Sequence, residues 1–127
     1  MKKTTSTKFF QTSVRAQHEI DATGLIIGRL ASRVAFILQG KNRPDYTPNA
    51  DIGDIVKITN VAKMRVTGKK MDQKLLRRYS GYPGGLKERQ LKDVMAKNPA
   101  EALEHAVLRM LPKNYLQKAM IKRLIIN

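Results

Sequence analysis

A strand–helix–strand pattern over residues 19–62 constrains the fold most. This stretch carries five basic and five acidic residues, so its charges balance as in an ordinary folded domain. His18 to Ala22 predicts a short strand. The apolar side chains of residues 27–38 recur at helical spacing, and Gly40 ends this helix because a residue without a Cβ adopts left-handed geometry at little cost. Residues 55–58 predict a strand that is apolar on both faces, as inside a sheet.

The second half of the chain has mainly helical patterns. Apolar spacing predicts a short helix over residues 91–97. Asn98 followed by Pro99 predicts the start of another helix, because Asn caps helix N-termini and Pro suits the first helical position. Pro112 ends that helix, and residues 114–124 predict a last, basic helix.

These patterns together predict an α/β fold with a small, largely parallel sheet covered by helices. The length of 127 residues suits one domain, since chains usually divide only beyond about 250–300 residues. We expect this domain to span residues 18–127. Residues 1–17 predict a basic, extended arm that orders on a partner. The alternative for this arm is a transit peptide, because it is basic, rich in hydroxyl groups and free of acids.

Two stretches between these elements carry further predictions. Residues 41–53 contain two prolines and predict a loop with fixed turns rather than a flexible linker. Lys63 to Thr67 alternates polar and apolar side chains and predicts a further strand. Asp51 and Asp54 flank Gly53 and could hold a cation, but the favoured interpretation is that they form turns and cap a strand by bonding local amides.

The formal charge of +15 is unevenly distributed. Residues 1–18 carry +4, residues 63–92 carry +8 and residues 109–127 carry +5. Clusters of this kind are typical of proteins that bind a polyanion, whereas a solvated surface spreads its charges evenly. Nucleic acid is therefore the expected partner.

Residues 69–90 form the centre of this excess charge. Within them, the sequence SGYPGGL at 80–86 holds three glycines and a proline, which allows the backbone to approach a ligand closely and expose amide donors. Tyr79 and Tyr82 are placed either to stack on bases or to pack in the core. The flanking bases are Lys69, Lys70, Lys74, Arg77, Arg78, Lys87 and Arg89.

No catalytic constellation emerges from the sequence. The absence of Cys excludes disulfides, thiolate zinc sites, iron–sulfur clusters and Cys nucleophiles. His18 and His105 are the only imidazoles and lack metal-ligand spacing, so His105 is predicted to be a structural or surface residue. No apolar run approaches the roughly 18 residues of a membrane span, and the first residues do not show the apolar region typical of a signal peptide. We expect a soluble, intracellular protein that is not an enzyme and has no cofactor or metal.

Two other functions remain as alternatives. Gly24, Gly28 and the pair Gly68-Lys69 partly match nucleotide-binding loops, which would suit a nucleotide-using enzyme on a Rossmann-like sheet. The charge alone would also suit a DNA-binding architectural protein.

Five motifs of the sequence together resemble one family. They are DATGLIIGRLAS (21–32), GKNRPDYTPNADIGDIVKITN (40–60), VTGKK (66–70), SGYPGGLK (80–87) and RMLPKN (109–114). In their order and spacing, the sequence is similar to large-subunit ribosomal protein L-thirteen of the bacterial type over about residues 20–124. The resemblance implies a three-layer α/β fold with a four-stranded, mainly parallel sheet. It also implies a structural constituent of the large ribosomal subunit that binds large-subunit rRNA directly, contacts neighbouring ribosomal proteins and supports early assembly, in the cytoplasm or in an organelle.

The predicted RNA-binding residues come from two sources. The resemblance implies this role for Lys41, Arg43, Lys69, Lys70, Arg77, Arg78, Lys87, Arg109 and Lys113. The basic clusters and the glycine-rich stretch add Lys63, Lys74, Tyr82, Arg89, Lys118, Lys122 and Arg123.

Overall fold

The computed structural model describes residues 14–127. Strands and helices alternate in its first half, and helices follow a hairpin in its second half. Its elements are β1 (Gln17–Asp21), α1 (Ile27–Gln39), β2 (Ile55–Thr59), a 3-10 turn (Val61–Lys63), α2 (Lys70–Gln73), β3 (Leu75–Tyr79), β4 (Leu86–Gln90), α3 (Leu91–Lys97), α4 (Pro99–Met110), α5 (Gln117–Ile121) and β5 (Leu124–Ile126).

A parallel sheet with the order β1–β2–β5 forms the centre of the fold. Val56 of β2 pairs with His18 on one side and with Leu124 on the other, so β2 is the inner strand that its apolar pattern predicts. The predicted α/β class with a small, mainly parallel sheet flanked by helices is confirmed. This sheet has three strands in the part of the chain described, rather than the four that the resemblance implies.

The predicted strand over Lys63–Thr67 is wrong. Asn60 adopts left-handed geometry with φ 58° directly after β2, and the chain continues into the 3-10 turn. An isolated bridge between Ile26 and Arg65 and a bond from the Gly24 amide to the Lys63 carbonyl join this stretch to the residues that precede α1, without extending it as a strand. Alternation over three polar and two apolar residues is too short a pattern to outweigh the turn that Asn60 imposes.

The hydrophobic core lies between the parallel sheet and the helices, with α1 packed against α4. Leu38 and Leu103 contribute fully buried side chains from these two helices. As predicted, Gly40 ends α1 in left-handed geometry, with φ 81° and amide bonds back into the helix. Gly53 packs so closely on this helix end that a Cβ there would lie 1.8 Å from the Leu38 carbonyl oxygen. The predicted loop over residues 41–53 is thereby fixed against α1.

The predicted helices over 91–97 and after Asn98 are confirmed, and the Asn98 side chain accepts a hydrogen bond from the Glu101 amide at 3.4 Å. The last predicted helix, 114–124, is shorter than expected because α5 ends at Ile121. The apolar residues after it extend instead as β5, where pairing with β2 replaces helical hydrogen bonds.

The two-stranded antiparallel sheet of β3 and β4 was not predicted. All five residues of β4 are exposed, so the strand lacks the apolar alternation by which half-buried strands are recognised. The glycine-rich stretch 80–86 forms the hairpin connection, closed by a 2.9 Å bond from the Gly85 amide to the Tyr82 carbonyl.

The predicted arm, residues 1–17, lies mostly outside the described residues, which include only 14–17 of it. Gln17 already belongs to β1. Among the described helices, none is long and apolar enough to cross a membrane.

Candidate nucleic-acid interface

An open groove of about 1290 Å³ separates the β3–β4 hairpin from α4 and the chain that follows it. Its walls carry six cationic side chains but only two carboxylates, so the groove has a strong excess of positive charge. The cations are Arg77, Arg78, Lys87, Arg89, Arg109 and Lys113, and the carboxylates are Glu88 and Glu101.

The register of the hairpin sets the charge pattern of one wall. Arg78 lies directly opposite Lys87, whereas Arg77 lies opposite Glu88 and its Nε donates to the carboxylate at 2.6 Å. Like charges opposite each other destabilise a strand pair. An anion between Arg78 and Lys87 would remove that repulsion, so the hairpin holds a site that favours bound negative charge.

The other wall is the face of α4 that bears Glu101, His105 and Arg109, which share a face because they are four residues apart. Glu101 pairs with Arg89 across the groove. The Arg109 guanidinium donates to the backbone carbonyl of Arg77 at 3.5 Å. These two contacts join α4 to the hairpin.

His105 was predicted to be a structural or surface residue, and the structure places it in the groove wall. Burial lowers the pKa of His105 below its ordinary value, and the nearby charges of Arg109, Lys74 and Arg89 lower it further. The folded protein therefore favours the neutral form of the His105 imidazole. Its position beside Arg109 on the helix face opposite the core stripe was the pattern that could have revealed it.

The hairpin also exposes apolar and aromatic side chains to solvent next to these charges. Tyr79 is 63% exposed, Tyr82 is 76% exposed and Leu86 is 54% exposed. Tyr79 and Leu86 are cross-strand partners, while Tyr82 lies in the connection. Of the two fates predicted for these tyrosines, core packing is therefore excluded, and both rings are available for stacking.

Other predicted RNA-binding residues are exposed but lie outside the groove lining. Lys69 directly precedes α2, Lys70 is its first residue and Lys74 directly precedes β3, so all three lie close to the hairpin in sequence. The remaining residues of this exposed group are Lys41, Lys63, Lys118 and Lys122.

Two predicted residues make internal contacts instead. The Arg123 side chain is only 10% exposed, and its Nη1 donates to Asp51 at 2.6 Å while its Nη2 donates to the Leu38 carbonyl at 2.8 Å. Arg43 donates to Asp54 at 3.3 Å and also binds Asp45. Both guanidinium groups thus find their anions within the protein, which the sequence pattern did not indicate.

The side chain of Asp54 is buried, with the residue 2% exposed. Besides Arg43, His18 Nε2 lies 2.9 Å from it, Asn42 donates at 3.1 Å and the Ala16 amide donates at 3.3 Å. Burial raises the pKa of Asp54, but the hydrogen bonds of His18, Asn42 and Ala16 outweigh burial, so the pKa lies below its ordinary value.

We call these contacts the internal ion network, which comprises Arg15, His18, Arg43, Asp51, Asp54 and Arg123. The favoured interpretation of Asp51 and Asp54 as turn and cap residues was incomplete, because their main partners are side chains distant in sequence. Within residues 14–127, no group of three or more His, Asp or Glu side chains could hold a metal ion.

A family model described as "Ribosomal protein L13" matches residues 15–126. The chain belongs to this family. A "Large ribosomal subunit protein uL13" from Finegoldia magna is 51% identical over 110 residues, which cover 87% of this chain and 77% of that protein. The protein of the same name from Thermus thermophilus is 54% identical over 105 residues, covering 83% and 75%.

A third relative with this name, from Thermobifida fusca, is 53% identical over 110 residues, covering 87% of this chain and 74% of that protein. Membership of the L13 family confirms the resemblance found in the sequence motifs. It also confirms that the chain is a ribosomal protein and not an enzyme, so the partial matches of Gly24, Gly28 and Gly68-Lys69 to nucleotide-binding loops do not mark a nucleotide-using enzyme.

Proposed function

We propose that this protein is a structural constituent of the large ribosomal subunit in the cytoplasm and that it binds large-subunit rRNA directly through the groove. The observation that carries this proposal is the positive charge of the groove walls, which hold six cations and only two carboxylates. Two of these cations, Arg78 and Lys87, are held directly opposite each other. Neighbouring large-subunit proteins are the other expected partners.

Binding would follow from three properties of the groove. Arg and Lys side chains neutralise phosphates and release condensed counterions, which favours association. Tyr79 and Tyr82 offer rings on which unpaired bases can stack. Specificity would rest on RNA shape, because the deep major groove of A-form RNA is closed to side chains.

The salt dependence of binding tests the proposal. If the groove neutralises about six phosphates, the logarithm of the association constant should fall with the logarithm of salt concentration with a slope of about −4 to −5. The double variant Arg78→Gln/Lys87→Gln should have a shallower slope. Lys92→Gln/Lys97→Gln on α3 removes the same charge outside the groove and serves as the control. A flat salt dependence for binding to a large-subunit rRNA transcript would contradict direct binding.

We further propose that binding occurs early in assembly of the subunit, because a protein that contacts rRNA directly can bind before other proteins do. In reconstitution from purified components, the protein should bind naked large-subunit rRNA without other ribosomal proteins. A requirement for a second protein before any binding would contradict the early role.

A further inference from the structure

The outer face of α1 carries positive charge that the groove does not explain. Arg29, Ser32, Arg33 and Phe36 are exposed at three- and four-residue spacing, opposite the buried stripe of the same helix. Phe36 is 49% exposed. The helix contains no acidic residue, and within residues 14–127 neither arginine forms an ion pair.

This face adjoins the groove at the C-terminal end of α4. Ser32 Oγ, which donates to the Gly28 carbonyl of its own helix at 3.0 Å, also lies 3.3 Å from Sδ of Met110, and Met110 is itself partly exposed. The residue before it, Arg109, lines the groove. A ligand that follows the groove past Arg109 therefore meets the exposed face of α1 next.

We propose that rRNA bound in the groove continues over the end of α4 onto α1, where Arg29 and Arg33 bind phosphates and Phe36 stacks on an unpaired base. This inference rests on the proposed function of the groove. Like charges four residues apart on a helix repel each other, and phosphates remove that repulsion. An unpaired base can stack its flat face on the exposed ring of Phe36. An acidic protein surface would bind the two arginines but would not offer such a stacking partner.

The double variant Arg29→Gln/Arg33→Gln tests the phosphate contacts. Gln keeps helix propensity close to that of Arg, so the helix should persist in circular dichroism. We expect weaker binding to a full-length transcript of bacterial large-subunit rRNA, with the salt slope shallower by about 1.4 to 1.8, since each lost phosphate contact accounts for about 0.7 to 0.9. The matched control is again Lys92→Gln/Lys97→Gln, which should leave the slope unchanged.

Two single variants of Phe36 test the stacking. Phe36→Tyr keeps the ring and should retain affinity. Phe36→Leu keeps an apolar side chain and helix propensity but removes the ring, so we expect binding to weaken at least about fivefold, the lower bound for loss of one stacked base. Equal affinities for the two variants would overturn the stacking of Phe36.

The outcomes separate this inference from the proposed function. If the α1 variants bind rRNA normally while Arg78→Gln/Lys87→Gln binds poorly, the α1 contact is wrong and the groove proposal stands. If the α1 variants bind poorly and the groove variant binds normally, rRNA contacts α1 but not the groove, which overturns both the groove proposal and the continuous path from the groove to α1. If the α1 variants bind naked rRNA normally but enter reconstituted subunits poorly, this face contacts a protein, which overturns the inference.

Discussion

The internal ion network and the groove are built from the same residue types but differ in how their charges are satisfied. In the network, Asp51 is half-buried and Asp54 is buried, and both accept hydrogen bonds from distant parts of the chain. In the groove, six cations share two carboxylates on an exposed surface. Folding therefore neutralises the charges of the network, whereas most of the positive charge in the groove is left for a ligand to neutralise.

This difference shows that the number of arginines in a stretch of sequence does not by itself locate a binding surface. Arg43 and Arg123 resemble groove residues in the sequence, yet each contacts a carboxylate of the network. Burial and partners in space distinguish the two groups. The comparison predicts that changes in the network alter stability, while changes in the groove alter RNA binding.

The largest expected effect is on stability, from Asp54→Ala. This change leaves Arg43 and His18 without their buried partner, and removal of one member of a buried ion pair costs about 3–5 kcal/mol. We expect about 3 kcal/mol, the lower end of that range, because both partners keep some access to water. Urea denaturation measures this loss. Glu88→Ala removes a carboxylate from an exposed pair in the groove and should cost under about 1 kcal/mol. Equal losses for the two variants would contradict the distinction.

Acidification should remove the same stabilisation in the unaltered protein. The pKa of Asp54 lies below its ordinary value of 3.8, so the folded state favours the ionised carboxylate. Its contribution is complete above that ordinary value and is lost as the pH falls through the lowered pKa. We therefore expect the gap in unfolding free energy between wild type and Asp54→Ala to narrow between pH 6 and pH 3. A difference in unfolding free energy that widens as the pH falls would contradict the lowered pKa of Asp54.

Charge reversal in the groove should lower the affinity for RNA but leave stability nearly unchanged, which is the opposite of the effect expected for Asp54→Ala. Arg77→Glu/Arg78→Glu is expected to weaken rRNA binding, with a salt slope shallower by at least about 1.4, the loss of two phosphate contacts. Both side chains lie on the surface. Reversal at Arg77 exchanges an ion pair with Glu88 for a repulsion, while reversal at Arg78 exchanges the repulsion with Lys87 for an ion pair, so the urea midpoint should change little. Lys92→Glu/Lys97→Glu changes the charge equally outside the groove. Unchanged affinity of the groove variant, with intact circular dichroism, would count against the groove.

The smallest expected effect concerns His105. Burial lowers the pKa of His105 in the free protein, and nearby Arg109, Lys74 and Arg89 lower it further. Phosphates that neutralise these cations should raise that pKa on binding. RNA binding then takes up a proton, so affinity should increase as the pH falls below about 6.5. The increase should stay under about tenfold, which corresponds to one pKa unit. Binding curves at pH 7.5 and 5.5 and constant salt measure it, and His105→Gln should lose this dependence.

The sequence predicts best where short-range patterns determine structure. The apolar spacing of α1, its end at Gly40 and the Asn98 cap were all recognisable, because each depends on residues within a few positions. The hairpin escaped prediction because its strands pair with each other while only Leu76 of their ten residues is buried, so no apolar face marks them in the sequence. The length of α5 was overestimated because pairing of β5 with β2 is a contact between distant residues.

The candidate site was predictable in part for the same reason. The basic stretch around the glycine-rich turn indicated four of the cations that line the groove, and the family resemblance indicated the other two, Arg109 and Lys113. The sequence could not show that α4 forms the opposite wall, nor that Arg123 lies beside Asp51, because 72 positions separate that pair. Charge pattern identifies candidates, and only the fold decides which carboxylates they meet.

The contact between Arg123 and Asp51 also has a consequence for how the chain is made. Synthesis proceeds from the N-terminus, so the loop over residues 41–53 and the strand β2 emerge long before their partners Arg123 and β5. The sheet therefore cannot be completed while the nascent chain is still growing through residues 60–120. Since domains generally fold as units, we expect native structure to form only when residues 123–126 have left the translating ribosome.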